Sequence, residues 1–314
     1  MATATTDPVR LPPGPRLPKL IQGVWVLTAR HGSIAAFGRR YGHTFALQMP
    51  VFGTTVVVSD PTLVKDLFTT NRELIGRPRH NLGEVLGSGS MFSLDGDELL
   101  ERRRLLLPPF HAKRVADYED IIESEVLQES ADWPQDREFP TFEPMMRITL
   151  NAILRAVFGA DGPALEELRR LLPTAVTYGS LLGLTPAFVR RDYGSWSPGG
   201  KLHGVRQRID AVIFSLIETA RADPNYADRN DMLALMLAAR YDDGRPIPDQ
   251  HIADELLTML AAGHETTSTT LAWAVERIRR HPALLARPLA ISPMRAFSVS
   301  QGSGIWEVSR SSLS

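Results

Sequence analysis

Apolar residues recur three and four positions apart along most of the chain beyond Asp97. The segments near 97–107, 111–131, 143–158, 163–178, 201–222, 228–240 and 250–281 carry this spacing and are separated by Pro, Gly or Asp. Such a pattern predicts a succession of helices, each with one face to bury. Residues 241–248, with Asp243-Gly244 inside them, read as a turn.

The period changes nearer the start. Residues 44–49 and 54–59 are rich in β-branched and apolar side chains around Pro50 and Gly53, which predicts a hairpin. Asp60-Pro61 then opens a helix to about Thr69, with aspartate as cap and proline at the first helical position. A short helix is expected near 34–41. Residues 11–18 contain four prolines and a glycine and should be extended and stiff. Residues 76–96 are glycine-rich with little periodicity, so a long irregular segment is expected there. The fold class is therefore mainly α with a small β-sheet near the N-terminus.

From Pro288 to Ser314 the chain becomes serine-rich and aperiodic. This tail is expected to stand apart from a single domain over 1–287, as a disordered terminus or the product of a changed reading frame.

Composition narrows the function classes. With 43% apolar and 23% charged residues over 314 positions, the chain can bury a large core. A net charge of -1 gives no basic field for a phosphate backbone, so nucleic acid is not an expected partner. The start carries neither a secretory signal nor the run of about 18 apolar residues needed to span a bilayer. A cytoplasmic protein without a transmembrane segment is expected. Residues 20–27 are too short to cross a membrane, and contact with a membrane surface is the lesser of their readings. There is no cysteine, which removes disulfides, thiolate nucleophiles and cysteine-held metal or haem from these residues.

The helix at 250–281 would be about 45 Å long, and its middle breaks local rules. Gly263 costs about 1 kcal/mol relative to alanine. The threonines at 266, 267, 269 and 270 add β-branched crowding and competing hydroxyls. At about 100° per residue, Met259, Ala262, Gly263, Thr266, Thr270 and Trp273 share a face with small side chains at its centre, and Glu265 borders it. A flat ligand could approach there. A hydroxyl beside a carboxylate in a distorted helix suits proton delivery into a dry site. The plainer account is a core helix whose Gly and Thr admit close neighbours.

Ala262-Gly263-His264-Glu265-Thr266-Thr267 resembles the oxygen-activation signature of the cytochrome P450 family. Four further features resemble that family in its order. They are the hinge Pro12-Pro13-Gly14-Pro15, the 44–59 hairpin, the stretch from Arg103-Arg104 through Pro108-Pro109-Phe110-His111, and the closing His281-Pro282. The likeness covers about residues 10–287 and implies an incomplete cytochrome P450 fold. It implies that Ala262 and Gly263 lie over a haem, that Thr266 hydrogen-bonds dioxygen and that Glu265 relays protons. Arg103 would pair with a haem propionate, a task suited to the guanidinium fork. Arg102 and Arg104, about 100° to either side, are expected in solvent. Leu99 stands where the family often has a propionate-binding Trp or His.

The likeness also places a variable substrate loop at 77–92, with Val85, Leu86, Met91 and Phe92 as apolar contacts, and a mobile lid at 181–189. Its activity would be haem-thiolate monooxygenation of an apolar small molecule, with electrons from a ferredoxin-type donor. The family's cysteine ligand is missing from these 314 residues, and so is its Glu-x-x-Arg pair. Glu307 and Arg310 have that spacing, but in a serine-rich stretch without a helical face. His264 lies beside the oxygen-side face and could not replace the cysteine. Loss of activity is the expectation for the chain; a non-catalytic helical binding protein or a gene remnant is the alternative. A zinc hydrolase is the weaker enzyme alternative, because no second histidine follows His264-Glu265 at metalloprotease spacing.

Overall fold

The expected hairpin forms, and its register follows from the turn at Pro50. A computed structural model of the protein describes residues 10–71, 74, 81–107, 110, 118–134, 137–159, 162–183, 185–281, 297–298 and 309–310. Strands β1 (Thr44–Met49) and β2 (Gly53–Val58) pair antiparallel from Thr44 opposite Val58 to Met49 opposite Gly53. Gly53 has φ +69°, a conformation that costs glycine little. Alternation along β1 sends Phe45 and Leu47 inward, where they meet Phe37.

These strands belong to one of two compact units, Met1–Pro78 with Leu181–Arg191. Its helices are α1 (Lys19–Thr28), α2 (Arg30–Tyr41) and α3 (Pro61–Thr69). Phe37 on α2 stacks edge-on against Trp25 of α1 at 4.9 Å and tilts over Phe45 at 6.0 Å. The cap of α3 is the expected one: Asp60 accepts from the Thr62 and Leu63 amides at 2.8 and 3.2 Å, with Pro61 first in the helix. The proline-rich stretch lies on the hairpin, its Pro13 carbonyl accepting from the Ala46 amide at 3.0 Å. Gly14 is required there, since any side chain would strike the Ala46 carbonyl. The sequence pattern gave only the end of α2 and missed α1.

The second unit, Arg79–Ser180 with Asp192–Ser314, is helical. It contains α4 (Asn81–Leu86), α5 (Gly96–Leu106), α6 (Glu119–Ser130), α7 (Phe142–Phe158), most of α8 (Pro163–Gly183), α10 (Pro198–Ala222), α11 (Met232–Ala238) and α12 (Asp249–Arg280). Short α9 (Ala187–Arg190) falls in the first unit. Helix α4 replaces part of the irregular segment expected at 76–96.

Helix α12 packs most extensively on α7. Leu154 and Val157 of α7, Ile209 and Ile213 of α10, and Ala253 and Leu256 of α12 are all fully buried. Each Leu, Ile or Val side chain so buried contributes about 1.5–3 kcal/mol. Of the tail, Phe297–Ser298 and Ser309–Arg310 are described, as an antiparallel pair. Residues 75–80, Pro108, Pro109, His111 and Pro282, invoked above, lie outside the described residues.

Candidate functional site: the open face of α12

Helix α12 changes environment halfway along. Ile252 to Leu260 are nine consecutive buried residues, so this half is enclosed on all sides. Beyond Ala261 only His264 and Ser268 remain buried. Both turn toward α7, where Ser268 Oγ lies 3.0 Å from Met146 Sδ and His264 Nδ1 lies 3.2 Å from Thr149 Oγ1. The opposite side is open: Ala262, Glu265, Thr266, Thr269, Thr270 and Trp273 are exposed, Trp273 by 60%.

The helix is unbroken α-helix from Asp249 to Arg280, so the Gly263 and threonine-rich middle expected to distort does not interrupt it. The threonine hydroxyls turn back on the helix, Thr266 Oγ1 donating to the Ala262 carbonyl at 2.6 Å and Thr270 Oγ1 to the Thr266 carbonyl at 2.8 Å. This satisfies each hydroxyl proton without breaking the ladder. It leaves the oxygen lone pairs of Thr266 on the open face.

Gly263 serves the other side. It is half-buried, and a Cβ placed on it would come within 3.1 Å of Ile153 Cδ1 on α7. Its missing side chain lets the two helices approach. His264 is buried, so its protonated form is disfavoured and its pKa falls. Its Nε2 has no hydrogen-bond partner among the described residues. It borders a cleft of about 1060 Å3 lined by α6, α7 and α8. Ion pairs line that cleft, Arg155 with Glu125 at 2.7 Å and Arg169 with Glu166, and Arg169 also donates to the Asn151 amide oxygen at 2.8 Å.

The structure separates the three arginines of α5 differently from the sequence reading. Arg103 is exposed, as is Arg104. Among the described residues no hydrogen bond or ion pair joins Arg103 to Glu265 or Thr266. Arg102, expected in solvent, is only 1% exposed. Its Nη1 donates to the Gly89 carbonyl at 3.0 Å, and its Nη2 donates to Tyr241 Oη at 2.6 Å and lies 3.0 Å from His251 Nδ1. The reason is helical phase: Arg102 stands four residues before Leu106, and both lie on the buried side of α5.

Arg102 belongs to a buried charged cluster that sequence reasoning missed. Asp254 accepts from the Gly89 amide at 2.8 Å and from Gln250 at 3.0 Å, and it pairs with Arg206 of α10. Glu255 Oε2 accepts from the Met91 amide at 2.8 Å, while its Oε1 has no partner among the described residues. Burial pushes the Glu255 carboxyl up to about 7, against the opposing pull of the Met91 amide and Arg102. Two carboxylates thus hold residues 87–92 against α12. Of the expected substrate-loop contacts, Leu86 is in the core and Met91 and Phe92 pack against it. The available signal was the acidic pair inside the apolar run Ile252 to Leu260.

No group of three or more His, Cys, Asp or Glu that could hold a metal occurs among the described residues. No described helix is long and apolar enough to cross a membrane.

A mainly helical fold with an N-terminal hairpin, and a long helix with a small-residue open face, define an established class. The cytochrome P450 family model matches residues 12–287, and the chain belongs to that family. It is 53% identical over 288 residues to cytochrome P450 138 of Mycobacterium tuberculosis, an alignment covering 91% of this chain and 65% of that protein. To cytochrome P450 135B1 of the same organism it is 38% identical over 290 residues, covering 90% and 60%. The chain therefore spans somewhat under two thirds of these relatives.

The fold agrees with solved structures. A retinoic-acid-bound cyanobacterial CYP120A1 superposes with a TM-score of 0.74 at 21% identity, over 89% of this chain and 63% of the other. The cytochrome P450DA haem domain gives 0.70 at 24% identity, over 88% and 61%.

Haem is the family's cofactor, and the residues present fit one side of it. The Ala262–Thr266–Thr270 face offers a shallow wall without bulky side chains. A cysteine thiolate to hold the haem iron is not among these 314 residues.

Proposed function

We propose that this chain carries the oxygen-side wall of a haem monooxygenase, and that these 314 residues alone do not sustain the reaction. The observation that carries the reading is the open face at Ala262 and Thr266, on a helix otherwise enclosed from Ile252 to Leu260. Haem, when bound, would supply the metal that activates dioxygen, so that one oxygen atom enters an apolar small molecule and the other leaves as water, with two electrons from a redox partner and two protons from solvent consumed.

The chain's own residues have more limited tasks. Ala262, with the Gly263 backbone beside it, leaves space for a flat ring system. Thr266 Oγ1, its proton held by the Ala262 carbonyl, presents lone pairs that accept a hydrogen bond, and it can reorient to donate one. Glu265, one position away and exposed, takes a proton from solvent at its carboxylate and passes it toward Thr266. Arg103 would pair with a propionate by its two-pronged guanidinium. A ferredoxin-type protein in the cytoplasm is proposed as the electron donor.

Titration of the purified chain with haemin tests the reading. Weak binding is expected, and after reduction under carbon monoxide no difference band of thiolate-ligated haem. Such a band would overturn the proposed inactivity. Ala262→Phe fills the wall and should weaken haemin binding at least about tenfold without changing helix content. Unchanged affinity would remove the α12 face from the site.

A further inference from the structure

The outward surface of α1 is apolar where a solvent-facing helix is ordinarily polar. Leu20, Ile21, Val24, Trp25 and Leu27 are exposed, from 40% for Trp25 to 65% for Leu20. The buried positions of the same helix are Gln22 and Gly23. At about 100° per residue the five apolar side chains span about 160° of the helix surface, with Thr28 the one polar residue in that arc.

This inverted orientation is locked. Gln22 Nε2 donates to the Leu17 and Pro15 carbonyls at 2.7 and 3.2 Å, and its Oε1 accepts from the Gln48 amide at 2.9 Å. Gly23 lies where a Cβ would come within 2.6 Å of the Pro50 ring. Rolling α1 to hide its leucines would break three hydrogen bonds of a buried amide and drive a larger side chain into Pro50. The apolar arc therefore stays outside.

Charge around the helix is of one sign. Between Asp7 and Asp60 there is no acidic residue, yet the segment carries Arg10, Arg16, Lys19, Arg30, Arg39 and Arg40, in a chain whose net charge is -1. Arg16 and Lys19 stand just before the apolar arc and Arg30 just after it. The side chains of Arg10, Arg16, Lys19, Arg39 and Arg40 are exposed.

We propose that α1 is an in-plane anchor for an anionic lipid bilayer. Its arc from Leu20 to Leu27 enters the headgroup boundary, and the flanking cations lie against lipid phosphates. Ten residues make a helix of about 15 Å, half the hydrocarbon thickness, so the contact lies on the membrane and does not cross it. The charge pattern selects this occupant over a second copy of the chain, because two such faces would bring like charges together. The proposal does not depend on the haem reading.

Co-sedimentation of the full chain with vesicles tests it. Binding to vesicles of phosphatidylcholine with phosphatidylglycerol should exceed binding to phosphatidylcholine alone by at least about tenfold, and should fall as salt is added. The pair Leu20→Glu and Val24→Glu lies on exposed positions, so helix content should be kept while binding drops at least about tenfold. The pair Arg16→Glu and Lys19→Glu, which leaves the apolar arc intact, should also weaken binding to the anionic vesicles. A parent chain that stays in the supernatant with both vesicle types overturns the proposal, as does a Leu20→Glu, Val24→Glu variant that binds like the parent. Loss of a dimer in that variant, without vesicle binding by the parent, would reassign the face to self-association.

Discussion

Neighbouring arginines of identical chemistry meet opposite environments on α5, and the difference is measurable. Truncating Arg102 leaves the Gly89 carbonyl and Tyr241 hydroxyl without their donor inside the unit. Arg102→Ala is expected to cost about 3 kcal/mol, and Arg103→Ala less than about 0.5 kcal/mol. Urea unfolding of the two variants checks the contrast. Equal costs would mean that the buried side of α5 has been misassigned. A run of three arginines does not say which one turns inward. That depends on the phase set by Leu106, and on a carbonyl and a phenol brought in from 13 and 139 residues away. On α12 the exposure of Ala262, Glu265 and Thr266 was legible from helical phase, because one helix fixes their relative placement, whereas Gly263, expected on the same face, packs toward Ile153 of α7.

At the scale of elements, the pairing of α12 with α7 turns on Gly263. Its space is bounded by Ile153, so Gly263→Val should overpack the contact and cost about 1–3 kcal/mol. Combining it with Ile153→Ala should recover part of that loss, giving a favourable coupling in a double-mutant cycle. Strictly additive costs would show that the two residues do not share the space. Elements with strong local signals were readable: the Asp60-Pro61 cap, the β1–β2 hairpin and the length of α12. Helix α1 was not, because its apolar residues face outward and its buried positions are a glutamine and a glycine, the reverse of the usual pattern. Helix α4 was hidden by Gly83, which lies within 3.2 Å of the Ser93 backbone once a Cβ is placed on it. Its glycine meets a packing need that reads, in sequence, as a loop.

For the molecule as a whole, two buried groups give stability opposite dependences on pH. The Glu255 carboxyl is raised from 4.5 to about 7, so the folded chain binds this proton more tightly than the unfolded chain does. Its contribution is complete below about pH 4.5 and is lost as pH rises through about 7. His264 has a lowered pKa, so its contribution is present above about 6.5 and is lost as pH falls. Glu255→Gln keeps the shape and removes the charge. Its melting temperature should exceed that of the parent above pH 7, by an amount worth a few kcal/mol, and the gain should shrink toward pH 5. A pH-independent difference would mean that Glu255 is not the titrating group.

The sequence by itself determined the helical class, the N-terminal hairpin, the family and the exposed Ala262–Thr266–Thr270 part of the stripe on α12, since each rests on local period, local caps or residues within a few helical turns. Tertiary structure decided which arginine of α5 is buried, that Asp254 and Glu255 hold residues 87–92, that Gly263 faces α7, and that α1 turns its apolar side out. Those outcomes depend on contacts between positions tens to more than a hundred residues apart, and helical or strand periodicity carries no record of what lies across a packed interface.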